Sequence, residues 1–135
     1  MIVVSRLFVG LVALIHCYIL WFEMFAWKER GPGVFSSFPP ELFAHTEVLA
    51  ANQGLYNGFL AAGLIWSLCI RDSVWSRNVA AFFLICVGVA GVYGAFSAEL
   101  RILYVQTVPA VLGLISIFFA HRVSNSARLS MTLSD

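Results

Sequence analysis

Glu23 and His16 are the residues of this chain best suited to chemistry, one a carboxyl that can hold or give a proton and the other an imidazole seven positions earlier. Seven residues make two turns of an α-helix, so both fall on one stripe with Ser5, Val9, Val12, Leu20 and Trp27. A second group, Asn52, Gln53, Tyr56 and Asn57, puts four polar side chains within six positions, and Tyr93 and Gln106 stand singly further on. These residues support two kinds of chemistry. Glu23 can act as an acid or base with His16 assisting, which makes this pair the catalytic candidates. Alternatively Glu23, Asn52, Gln53, Tyr56, Asn57, Tyr93 and Gln106 can hold a ligand headgroup by hydrogen bonds. No nucleophile motif or glycine-rich cofactor loop accompanies them, so no cofactor is assigned.

Metal or haem binding through His16, His45 or His121 is a further reading. No Cys/His spacing supports it, and no metal ligands are assigned. Cys17, Cys69 and Cys86 lie in or at the ends of apolar runs, as small packing residues do. Leu14-Ile15-His16-Cys17 has the outline of a lipoprotein cleavage box, but His16 stands where a small residue is needed. The apolar run also outlasts the h-region of a cleaved signal, about 7 to 15 residues, so the first segment is expected to remain as a membrane helix.

The elements that must position these groups follow from composition. Of 135 residues, 61% are hydrophobic and 11% charged, and the mean hydropathy is +0.89. A soluble domain is roughly half apolar and a quarter charged. A fold of this size in water could not hide that much apolar surface, so the lipid bilayer is the expected partner. The net charge of +1 and the scattered basic residues leave no footprint for nucleic acid.

Spanning helices need about 20 mainly apolar residues, and stretches at about 2–27, 47–70, 79–98 and 102–121 qualify. The expected fold is an all-α membrane protein, one compact domain over residues 1–135 built as a bundle of four transmembrane helices. Residues 28–46 form the one substantial loop, with Gly31-Pro32-Gly33 and Pro39-Pro40 as breakers around Phe35 and Phe38, which suit the headgroup level. Pro40 and Glu41 suit the first turn of a helix leading into the second span. Residues 71–78 form a short turn, a tighter one lies near Glu99 and Arg101, and residues 122–135 form a polar tail. Arg6, Arg71, Arg77, Arg122 and Arg128 fall on one side of such a bundle and Lys28, Arg30 and Arg101 on the other. The positive-inside rule then places both termini in the cytoplasm.

Small residues indicate where helices meet. Gly54 and Gly58 form a small-xxx-small pair on span two, with Leu55, Phe59 and Trp66 on a face left for lipid. Ala81, Gly88, Gly91 and Ala95 line one side of span three. Gln106, Ala110, Gly113 and Ile117 line span four, where Pro109 must sit inside the helix and predicts a kink. Antiparallel spans then bring Glu23, the polar run of span two, Tyr93 and Gln106 to the same half of the bilayer, with His16 nearer the midplane. Such groups either satisfy one another as interhelical hydrogen bonds or floor a polar pocket open toward the first loop.

The string Glu47-Val48-Leu49-Ala50-Ala51-Asn52-Gln53-Gly54-Leu55-Tyr56-Asn57-Gly58-Phe59-Leu60-Ala61-Ala62-Gly63 closely resembles the second helix of a bacterial membrane protein family catalogued as domain of unknown function 1304. Glu23-Met24-Phe25-Ala26-Trp27, Gly91-Val92-Tyr93-Gly94-Ala95 and Val105-Gln106-Thr107-Val108-Pro109-Ala110 match it as well, so the resemblance runs from span one to span four. It implies a compact four-helix protein of the bacterial inner membrane without an assigned activity. A looser likeness to the four-helix membrane enzymes of eicosanoid and glutathione metabolism stops at the fold, because their arginine-containing glutathione motif is missing.

The expected function is therefore binding of an amphipathic, lipid-like small molecule or of a partner helix in the polar pocket, with association into a homo-oligomer left open. The alternatives are an intramembrane isomerase or hydrolase using Glu23 and His16, and a proton or solute transporter subunit. The last is disfavoured because one embedded carboxylate and four helices offer no inverted repeat.

Overall fold

The structure is a computed structural model that describes the backbone of Met1 and residues 3–132 and the side chains up to Ala120. The expected side-chain roles of Ile2, His121, Arg122 and Arg128 lie outside the described residues. The chain forms helices α1 (Val3–Phe25), α2 (Trp27–Val34), α3 (Pro40–His45), α4 (Glu47–Cys69), α5 (Ser73–Ser97) and, after a π-helical turn over Leu103–Thr107, α6 (Val108–Thr132). Among the described residues, three stretches are long and apolar enough to cross a membrane, Val3–Phe25, Ser73–Ser97 and Leu103–Ala120. Helix α4 has the same 23-residue length as α1, but Asn52, Gln53 and Asn57 lower its apolarity.

Helix α1 buries Ser5, Val9, Val12, Ala13, His16 and Phe22, at the three- and four-residue spacing that makes one helical face. Its most extensive partner is α4, and α5 and α6 complete the contacts around a shared interior. That interior holds Val9, Val12, Leu64, Ala80, Leu84, Val87, Ala110 and Ile117. Small residues set the close approaches. A Cβ on Gly63 would enter the Phe83 ring, and one on Gly113 would stand 3.0 Å from Leu84 Cδ1. Leu55, Phe59 and Trp66 of α4 are exposed, as their lipid-facing assignment requires. Cys17 and Cys69 are exposed free thiols rather than packing residues, and Cys86 is partly covered.

The boundaries differ from expectation in four places, each with a local cause. Residues 28–46 are not an irregular loop: α3 begins at Pro40, as its first-turn proline and Glu41 suggest, and α2 continues through Gly31-Pro32-Gly33 because tertiary packing overrides those breakers. Gly31 lies directly against the Phe43 ring, and Trp27 stacks between Phe35 and Phe43 with ring centroids 5.6 and 5.1 Å away. The first span stops at Phe25, since Ala26 leaves helical geometry at φ −126° and ψ 7°. Helix α5 begins six residues before Val79 because Asp72 caps it, accepting from the amides of Val74 at 3.0 Å and Trp75 at 2.7 Å. Finally, α6 runs to Thr132, past the expected exit at residue 121.

Pro109 is buried inside the last helix. Having no N–H, it cannot bond the carbonyl four residues back, and its ring crowds that carbonyl. The π turn just before it absorbs the disturbance, with the Val108 amide reaching five residues back to Leu103.

Candidate functional site

Glu23 stands near the last turn of α1, where α4 runs closest. The closeness depends on Gly54: a Cβ there would lie 2.7 Å from Met24 Cγ, 3.1 Å from Glu23 Cβ and 3.1 Å from the Leu20 carbonyl oxygen. Gly58, one turn on, touches the Leu20 side chain. With the backbones this near, the Asn57 amide nitrogen donates to Glu23 Oε2 at 2.9 Å and also to its own helix at the Gln53 carbonyl, 3.2 Å away. Glu23 Oε1 has no partner among the described residues.

Two cavities meet at this carboxyl. The first, about 450 Å³, lies between α1 and the π turn and has mostly apolar walls, among them Leu14, Ile15, Ile19 and Val105. The second, about 360 Å³, is bounded by α4 and α5 and lined by Gln53, Tyr56, Asn57 and Tyr93. Glu23, Phe35, Ile102 and Gln106 line both. Both volumes fall within the roughly 300 to 1,000 Å³ common for small-molecule sites.

Of the residues singled out from sequence, Glu23, Gln53, Tyr56, Asn57, Tyr93 and Gln106 come together around the second cavity. Tyr56 and Tyr93 form its outer lip, being 51% and 73% exposed. Asn52 lines neither cavity and is exposed on the outside of α4. His16 is fully buried in the interior below. Its Nδ1–H donates to the Val12 carbonyl at 2.9 Å, its Nε2 has no partner among the described residues, and it lines neither cavity. The two catalytic candidates thus do not face a common space. No group of three His, Cys, Asp or Glu able to hold a metal occurs among the described residues.

The sequence reading missed the rim. Glu99 and Arg101 line the first cavity, and Arg101 bridges to the segment after α1, donating to the Val34 carbonyl at 3.2 Å and lying 3.4 Å from Glu99 Oε1. Glu99 Oε2 is buried without a hydrogen bond among the described residues. The available signal was a charged pair between spans three and four on the same side as Glu23. Phe35 and Trp27 roof the second cavity, and the Trp27 indole N–H is anchored by Thr46 Oγ1 at 3.0 Å.

Compared with known proteins, residues 10–118 match the family model described as Protein of unknown function (DUF1304). A relative, Uncharacterized protein YpaA of Lactococcus lactis, is 32% identical over 111 residues, covering 81% of this chain and 92% of the relative. No solved structure matches the chain.

Proposed function

The chain belongs to the DUF1304 family, and we propose that it is a small integral membrane protein whose four long helices all cross the bilayer and enclose a binding site for an amphipathic, lipid-like small molecule. The observation that carries this reading is the position of Glu23, held by Asn57 at 2.9 Å where the two cavities share a wall. Polar groups at membrane depth are costly unless they face protein or trapped water. Six of them gathered at one cavity suit a site with a ligand better than scattered interhelical bonds. With α4 included as a span, α1 and α4 share one long seam, and Gln53, Tyr56 and Asn57 of its polar run border the second cavity near one membrane surface while Asn52 faces outward.

Binding is favoured over proton-transfer catalysis because His16 is sealed away from both cavities. We place the protein in the bacterial inner membrane with both termini cytoplasmic. A single reporter cysteine near Ser130, in a background lacking the native cysteines, should react only from the cytoplasmic side; periplasmic labelling would reverse the topology. The binding reading is tested by purifying the protein in mild detergent and identifying what remains attached by native mass spectrometry. A discrete amphiphile should accompany the wild type. Recovery of bulk lipid alone, in the proportions of the host membrane, would overturn the site.

A further inference from the structure

The first cavity runs along α1 from Leu14 to Glu23. Nine residues at about 1.5 Å each give roughly 13 Å, close to one leaflet of a hydrocarbon core about 30 Å thick. Its deep wall is Leu14, Ile15 and Ile19, its shallow end is Glu23, Glu99 and Arg101, and Val105 and Gln106, neighbours on the π turn, lie along the opposite wall. Apolar at the midplane and polar at the surface, the space has the polarity order of a lipid standing upright in its own leaflet.

The polar end has a definite chemical sense. Glu23 Oε1 has no partner among the described residues, and Glu99 Oε2 is buried with none. Both can accept from a donor, and for the buried Glu99 Oε2 staying unfilled is costly. No Lys, Arg or His lines the second cavity, and the one cation at the first, Arg101, is engaged by Glu99 and by the Val34 carbonyl. Arg101 and Glu99 offset one another, so the polar end carries no net positive charge to neutralise an anion, whether Glu23 is ionised or protonated.

Resting on the proposed binding function and deepening it, we propose that the occupant is a membrane-derived amphiphile with a single hydrocarbon tail and a hydrogen-bond-donating, non-anionic head. The tail lies between α1 and the π turn, and a hydroxyl or ammonium group sits between Glu23 and Glu99, with Gln53 and Asn57 of the adjoining cavity beside it.

The test uses three probes with one tail, hexadecanol, hexadecylamine and hexadecanoate, each isotopically labelled and measured for retention on the purified protein in mild detergent. The alcohol and the amine should be retained, and the carboxylate roughly tenfold less, the weight of one charged hydrogen bond. Glu23→Gln combined with Glu99→Gln should lower retention of the amine about tenfold while leaving the alcohol nearly unchanged, since the glutamine carbonyls still accept. Val105→Trp, at an exposed position that faces the tail space, should remove all three without disturbing the interior. Equal or better retention of hexadecanoate would overturn the head assignment while leaving a binding site in place. Unchanged retention in Val105→Trp would move the probes to the outer lipid-facing surface and overturn the tail assignment. Retention of none of the three, with only bulk lipid copurifying, would sink the binding function itself.

Discussion

The two ends of the long helices are built from the same kinds of residue but packed differently. Around Val9, Leu64 and Leu84 two glycines face large side chains: Gly63 lies under the Phe83 ring and Gly113 against Leu84. That half is filled, and Ser67 and Ser76 bordering it donate to nearby carbonyls, Ser67 to Leu64 at 2.6 Å and Ser76 to Ser67 at 2.7 Å, while the buried Ser5 hydroxyl has no partner among the described residues. Around Glu23, Gly54 and Gly58 bring α1 and α4 together, and Gly91 and Gly94 bring α5 against the π turn and Ile102. The last helix enters through its π turn, and space remains on both sides of the carboxyl. The first half is organised for close packing, the second for holding α1 and α4 in register beside an opening.

Substitutions that strike the two halves unequally can break or sharpen this contrast. The largest effect is expected from Gly54→Leu, because the new side chain meets the Leu20 backbone oxygen and Glu23 Cβ as well as Met24. About 3 kcal/mol of destabilisation, the upper part of the usual overpacking range, should appear as loss of folded protein on thermal melting in detergent. Gly58→Leu should cost less, about 1 to 2 kcal/mol, since it displaces the flexible end of Leu20. Equal losses at the two positions would mean that the helix seam is more pliable at Gly54 than its contacts imply.

Leu84→Ala in the filled half should destabilise by about 2 kcal/mol. Lipid solvates a separated helix nearly as well as protein does, so mainly the cavity term of a large-to-small change is lost. Asn57→Leu should cost about 1 kcal/mol by leaving Glu23 Oε2 without its donor. It should also reduce the copurifying amphiphile, which Leu84→Ala should leave in place. If Asn57→Leu proved as damaging as Leu84→Ala, and the wild type carried only bulk lipid, the polar layer would be structural and the contrast between the halves would vanish. Leu55→Ile, on the exposed face of α4, should change the melting temperature by the equivalent of less than about 0.5 kcal/mol.

Much of this arrangement was legible in the sequence, unevenly by position. The stripe through Ser5, Val9, Val12 and His16 could be read because helical periodicity is local. All seven binding candidates could be brought to one level because antiparallel helices of similar length must return their ends to the same side, and six of them line the second cavity. Asn52 and Gln53, adjacent and chemically alike, could not be told apart: one hundred degrees of rotation separates the cavity from the outer surface. Within residues 28–46 the start of α3 at Pro40 was legible, but α2 was hidden for another reason. Gly31 and Pro32 break helices in isolation, and only the Phe43 ring lying across Gly31 makes that turn worth forming.

By itself, the sequence determined the apolar stretches, their helical state and the small-residue seam on α4. All of these depend on residues close in the chain and on the thickness of the bilayer. Only the tertiary structure decided that Asn57 is the side chain that reaches Glu23, that His16 is sealed in the interior, that Pro109 is accommodated by a π turn, and that Glu99 and Arg101 close the rim. Those outcomes depend on how each helix is rotated about its own axis. In lipid no hydrophobic force sets that rotation, so it follows from the interlocking of small and large side chains contributed by distant parts of the chain.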